Sequence, residues 1–219
     1  MKQQQIAVIG LGRFGSAVAE ELVKAGHDVL GIDSELSVVQ QMANRLSHVV
    51  QADAVDQQAL EQLGLQDFDA GVVAITQHIE TSILTTLLLK RMGVPQVLAK
   101  ARNDLHGEIL TRVGADRVIY PERDSGLRLA HSWASADITD SLDIIEGYVV
   151  SRVQVPAGLV GRAVGEAITD RENGVALLLL ARGSSVIELP SPQEQLQAGD
   201  ILVLSGQIEE LDQFFSTIA

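Results

Sequence analysis

The chain has 219 residues, enough for one or two domains with a full core, and it carries a net charge of −13 and no cysteine. The acidic balance argues against nucleic acid as a partner, because that partner needs a basic face. The lack of cysteine removes disulfide frameworks and thiol catalysis and fits a cytosolic setting.

Met1-Lys2-Gln3 leads directly into an apolar run at residues 6–9, so no signal peptide is expected. That run has strand length and suits a strand buried on both faces. Gly10-Leu11-Gly12-Arg13-Phe14-Gly15 follows at once, and residues 16–25 read as a helix. Strand, G-x-G-x-x-G and helix in this order predict a dinucleotide-type phosphate loop. Gly10 would permit the turn, Gly12 would let a pyrophosphate approach the backbone, and Gly15 would let helix and strand pack closely. A second apolar run, residues 29–32, ends at Asp33 and Ser34, where the ribose-binding acid is expected about 20 residues after the glycines. A carboxylate at Asp33 would accept from both ribose hydroxyls and repel a 2′-phosphate, which disfavours NADP.

Further along, residues 35–46 read as a helix and residues 49–52 as a strand ending at Asp53-Ala54, which could bound an adenine. Asp56 reads as the N-cap of a helix closed by Gly64. Residues 71–75 form a fourth predicted strand, ending at Thr76. The helix over 80–92 is strongly apolar (Ile83, Leu84, Leu87, Leu88, Leu89), which suits either core packing or a subunit interface. Residues 96–99 predict a fifth strand, followed by Lys100-Ala101-Arg102, whose cations could reach phosphates. Asp104 is expected to cap the next helix, residues 117–120 form a sixth strand, and Pro121-Glu122-Arg123-Asp124 opens another helix. Six alternations of strand and helix predict an α/β fold, a doubly wound Rossmann-like parallel sheet. Arg13 stands out, since it opens a helix whose dipole disfavours a cation; an anionic ligand would account for it.

Residues 136–141 read as a polar connector. Beyond them β-rich segments dominate (148–155, 175–181, 186–188, 201–205), with short helices near 163–168 and 209–216. A second, smaller α+β domain over 141–219 is expected behind a nucleotide-binding domain over 1–140 that includes the helix after Glu122. The five histidines, His27, His48, His78, His106 and His131, have no metal-type spacing. The strand ends offer no set of nucleophile, base and orienting group, which argues against an enzyme. An NAD-dependent oxidoreductase and a free-standing NAD(H)-responsive sensor are the alternatives.

The stretches GLGRFG, AITQHIETSILTTLLLK, LAKARN and GADRVIYPERD, with the strand that ends at Asp33, resemble the regulator-of-potassium-conductance (RCK, TrkA-N) domain, in particular the KtrA-type cytosolic subunits of bacterial Ktr potassium transporters. The chain from about residue 142 resembles the accompanying TrkA-C domain. The resemblance implies a non-enzymatic regulator that binds ATP or ADP, and in some members NAD(H). It also implies homodimers that assemble into an octameric ring, cytoplasmic and peripheral on a membrane potassium-translocating (KtrB-type) subunit. It implies that Gly10, Gly12 and Gly15, with Phe14, form the phosphate loop and that Arg13 senses a γ-phosphate. Asp33 and Ser34 would hold the ribose side, Asp53, Ala54 and Thr76 would line the site, and Lys100 would face phosphates. Glu122, in PERD, matches a residue linked to a divalent cation, Mg²⁺ or Ca²⁺. The chain departs from the family at Asp53, where Asn is frequent. It departs again in TDRENGVALL, with Asp170 and Ala176, where some members carry an arginine–asparagine pattern for cyclic di-AMP.

Overall fold

A computed structural model describes residues 3–134, 138–168 and 174–218. The chain divides into two compact units, Met1–Pro121 and Glu122–Ala219.

The first unit is a six-stranded parallel sheet in the order β3-β2-β1-β4-β5-β6. Its strands are β1 (Gln5–Ile9), β2 (Asp28–Asp33), β3 (His48–Gln51), β4 (Ala70–Val73), β5 (Gln96–Lys100) and β6 (Arg117–Ile119). Between them run α1 (Arg13–Lys24), α2 (Leu36–Met42), α3 (Gln57–Gln62), α4 (Ile79–Arg91) and α5 (Asp104–Arg112). The central strand shows why the sequence needs strand-length apolar runs. Ile6 and Val8 join one core with Ala19 of α1 and Met42 of α2, while Ala7 and Ile9 join another with Leu60 of α3, Leu89 of α4 and Leu110 of α5. A strand covered on both faces has no polar side to alternate with. The strand order reverses between β1 and β4, which pair in parallel, and ligands of such sheets bind beyond the carboxyl ends at that point.

Asp56 caps α3 as expected, accepting from the N–H groups of Gln58 and Ala59. The cap of α5 differs from the expectation. Asn103, one residue before Asp104, supplies it, with Oδ1 accepting from His106 N–H at 2.9 Å. His106 answers with Nδ1, which accepts from Arg102 N–H at 3.2 Å. The arrangement resembles a capping box displaced by one residue, with histidine where glutamate is usual and its acceptor on the N–H of Arg102 rather than of the N-cap Asn103. Asn103 wins because its extended backbone lets the side chain reach forward, whereas Asp104 is already helical.

In the second unit α6 (Pro121–Ala134) precedes a five-stranded antiparallel sheet of order β10-β9-β11-β8-β7. Its strands are β7 (Ile138–Ile145), β8 (Tyr148–Gln154), β9 (Ala176–Arg182), β10 (Ser185–Glu188) and β11 (Ile201–Gln207), with α7 (Val164–Ala167) and α8 (Ile208–Ile218). Val149, Val153, Leu180, Leu202 and Leu204 meet Leu211 and Phe214 of α8 in one core. β7 takes in residues 138–141, read from sequence as part of a connector. Its inward residue there is Ser141, whose hydroxyl pairs with that of Ser151 at 3.2 Å, while Leu142 and Ile144 are exposed. Of the stretch TDRENGVALL, Asp170 lies outside the described residues and Ala176 opens β9.

Candidate functional site

The carboxyl ends of the parallel strands lay the expected residues out in a row. Asp53 and Ala54 follow β3, Asp33 ends β2, the glycine loop follows β1, Thr76 lies beyond β4 and Lys100 ends β5.

The three glycines are glycines for three different reasons. Gly10 has φ +90°, and a Cβ there would stand 2.9 Å from Ile75 Cγ1 at the end of β4. At Gly15 a Cβ would overlap the carbonyl oxygen of Gly10, so the helix can reach the loop only without a side chain. Gly12 has φ −65°, open to any residue, and a Cβ there would meet nothing within 4 Å. It is the N-cap of α1 and supplies no side-chain acceptor to the first-turn N–H groups of α1. The protein's own atoms require glycine at 10 and 15 and not at 12.

Asp33 is wired into the loop. Its Oδ2 accepts from Leu11 N–H at 2.7 Å and its Oδ1 from Glu35 N–H at 2.9 Å. A carboxylate has about four acceptor positions, so both oxygens retain capacity for ribose hydroxyls. Ser16 fixes the other side of the loop, donating from Oγ to the carbonyl of Leu11 at 2.6 Å. Sequence reasoning passed over Ser16, and the signal for it was a hydroxyl directly after the third glycine. Ser34 is exposed, and its carbonyl accepts from Gln51 Nε2 at 2.9 Å. Asp53 is exposed and turns its Oδ1 to Val55 N–H at 3.1 Å, shaping its own turn, while Ala54 is buried. Thr76 is half-buried.

Two cations flank the loop. Arg13, the first residue of α1, is exposed and has no ion pair among the described residues. Lys100 is only 6 % exposed, and its ammonium stands 5.4 Å from the centre of the Phe14 ring. The face of an aromatic ring attracts a cation at that range, so Phe14 helps to hold Lys100 in place. The chain beyond Lys100 is fixed by Ala101 N–H on Ile119 O at 2.9 Å and by the box of Asn103 and His106. Glu122 is an exposed residue in the first turn of α6, in the second unit. No group of three or more His, Asp or Glu able to hold a metal occurs among the described residues.

A glycine loop, a carboxylate at the end of β2 and two nearby cations are groups that a nucleotide's sugar and phosphates could engage. The model of the TrkA-N domain matches residues 6–121, and that of the TrkA-C domain matches residues 149–219. The chain is similar to Ktr system potassium uptake protein C of Bacillus subtilis (strain 168), at 35 % identity with 97 % of this chain and 96 % of the relative covered. It is similar to Ktr system potassium uptake protein A of the same organism at 32 % identity, with 98 % and 96 % covered. Among solved structures the RCK domain of GsuK shares its fold, at a TM-score of 0.67 and 16 % identity, over 100 % of this chain and 48 % of that one. The GsuK channel bound to NAD matches with a TM-score of 0.65 at 16 % identity, over 99 % of this chain and 39 % of that one. The chain thus spans less than half the length of the GsuK proteins whose fold it shares.

Proposed function

This chain belongs to the family in which a TrkA-N domain is followed by a TrkA-C domain, and from that premise we propose that it is the nucleotide-binding regulatory subunit of a membrane potassium transporter, gating ion flux in response to ATP and ADP. The observation that carries the nucleotide part is Gly12. Its backbone is ordinary and its side-chain direction is empty, so the glycine is accounted for by the close approach of a pyrophosphate. Asp33 then takes the ribose with Ser34 beside it, and Asp53 and Ala54 bound the adenine. Lys100, held over Phe14, and Arg13 face the phosphates, with Thr76 on the β4 side. Cations beyond the pyrophosphate favour a nucleoside polyphosphate, whose charge grows along the chain of phosphates. A second reading, NAD(H) as the ligand, draws on the NAD-bound channel of the same fold.

The role is regulation and not catalysis, which the potassium-uptake names of the relatives support. In this proposal the chain sits in the cytoplasm, peripheral on a KtrB-type membrane subunit, as homodimers that build an octameric ring. No helix of the described residues is long and apolar enough to cross a membrane, which agrees with an attachment made through a partner. A divalent cation enters only where phosphate oxygens and a second copy complete the shell around Glu122.

Thermal stabilisation by nucleotide tests the reading. ATP, ADP or NADH should raise the Tm of the wild type. Gly12→Ala should fold, because its methyl meets nothing in the free protein, with at most a small fall in Tm from the poorer N-cap, and should lose the nucleotide shift. In Glu122→Gln the shift should persist, and its dependence on Mg²⁺ or Ca²⁺ should vanish. A Gly12→Ala protein stabilised as well as wild type would defeat the nucleotide assignment.

A further inference from the structure

α4 gives its most deeply buried positions mainly to hydroxyls, although Ile83 and Leu88 still pack against the core. It has Ile83, Leu84, Leu87 and Leu88 to bury, yet the residues it seals from solvent are Ser82, Thr85, Thr86 and Leu89. Leu84 is 39 % exposed, while Ser82, Thr85 and Thr86 are each 0 % exposed. Hydroxyls in a helix–sheet interface give up apolar burial, so each needs a reason to be there. Thr86 Oγ1 donates back within the helix to Ser82 O at 2.8 Å. Thr85 alone of the three is seen to reach another element, donating from Oγ1 to the carbonyl of Ala54 at 3.1 Å, 31 residues away in the chain.

Ala54 sits in the turn that ends β3. That turn has local ties that set its shape: Asp53 Oδ1 accepts from Val55 N–H, Asp53 O accepts from Asp56 N–H, and Asp56 caps α3. None of these fixes the turn relative to β4, where the crevice opens. The Thr85 bond does so, because α4 is the helix that follows β4. We infer that Thr85 is a positioning residue for the base of the nucleotide: its hydroxyl pins the Asp53–Ala54 turn at the distance from the glycine loop that an adenine requires. This rests on the nucleotide reading and assigns α4 a part in selecting the base.

Isothermal titration with ATP and with GTP tests it in the full chain. Wild type should prefer ATP. Thr85→Val keeps the shape of the side chain and loses the donor; it should weaken ATP by about fivefold and cut the ATP-over-GTP preference by about threefold or more. Thr85→Ser keeps the hydroxyl and should stay within about twofold of wild type on both counts. Should the valine variant fail to fold, Thr85→Ala and Thr85→Ser, which differ by the hydroxyl alone, carry the same comparison. A hydroxyl that serves stability only would lower Tm and leave the ATP-over-GTP ratio untouched, and an unchanged ratio overturns the inference. A wild type that binds neither nucleotide nor NADH overturns instead the reading on which it rests.

Discussion

Two arginines, one in each unit, spend their charge in opposite ways. In the second unit Arg182 is used within the fold: Nε and Nη2 hold both oxygens of Asp200, Nη1 holds Glu194 Oε1 at 2.9 Å, and Nη2 also reaches Gln195 O. Asp200, itself 1 % exposed, further accepts from Gln197 N–H at 2.8 Å. This cluster ties β9 to the turn before β11 and leaves nothing to offer a ligand. In the first unit Arg13 stands exposed at the mouth of the glycine loop without an ion pair among the described residues, and Lys100 is braced by an aromatic ring. The lesson is that a cation whose acceptors are built in, as at Arg182, maintains a fold, whereas an exposed cation without an ion pair among the described residues, as at Arg13, is open to an anion from outside.

The largest effect that would sharpen this contrast lies in the second unit. Asp200→Ala strips three donors of their acceptor, and breaking such a pair costs several kcal/mol; the guanidinium retains some contact with water, so we expect about 3 kcal/mol in urea denaturation. Nucleotide-induced stabilisation should survive, because the cluster belongs to the fold alone. The hydrogen bond from Arg182, before all else, holds the Asp200 carboxyl below the ordinary carboxylate value of 3.8. A depressed acid contributes stability that is complete above its unfolded pKa and is lost as pH falls through the folded one. The cluster should therefore hold until the pH drops below about 4.

A smaller effect separates the units by pH. Burial holds the His106 imidazole below its ordinary value of 6.5, so it is neutral in the fold. The unfolded chain takes up a proton there first, which means the first unit is at full strength above that value and weakens as pH falls below it. Protonation also removes the Nδ1 acceptor for Arg102 N–H, loosening the loop after Lys100. The urea midpoint of wild type should decline between pH 7 and pH 5, and His106→Gln should flatten that decline (approximate limits set by the histidine range). A wild-type profile that is level down to pH 5 would contradict the role given to His106.

Much of this was legible in the residues. Apolar runs of strand length with glycine and proline punctuation gave the parallel sheet, and the glycine spacing with Asp33 placed the loop against the acid that now binds Leu11 N–H. Two of the features that escaped share one cause. In α4 Ser82, Thr85 and Thr86 are sealed from solvent beside Leu89 while Ile83 and Leu88 are only partly buried against the core, and in β7 Ser141 is buried while Leu142 and Ile144 are exposed, so apolar residues alone do not mark the buried positions there. Buried hydroxyls are affordable where they pair, as Ser141 does with Ser151 and Thr85 with Ala54, and that pairing depends on partners distant in sequence. The box of Asn103 and His106 escaped for a local reason, because histidine at that position is an uncommon acceptor.

The claim that the first unit reads a nucleotide to control potassium movement is tested most directly by flux. The chain, reconstituted with its membrane potassium-translocating partner in liposomes, should support potassium uptake that differs between ATP and ADP. A charge-assisted contact with the γ-phosphate is worth about 1.5–3 kcal/mol. Arg13→Ala should accordingly weaken ATP by about tenfold or more, affect ADP far less, and erase the difference in uptake at equal nucleotide concentration. Uptake that is the same with ATP, with ADP and with no nucleotide in the wild-type complex would contradict the account.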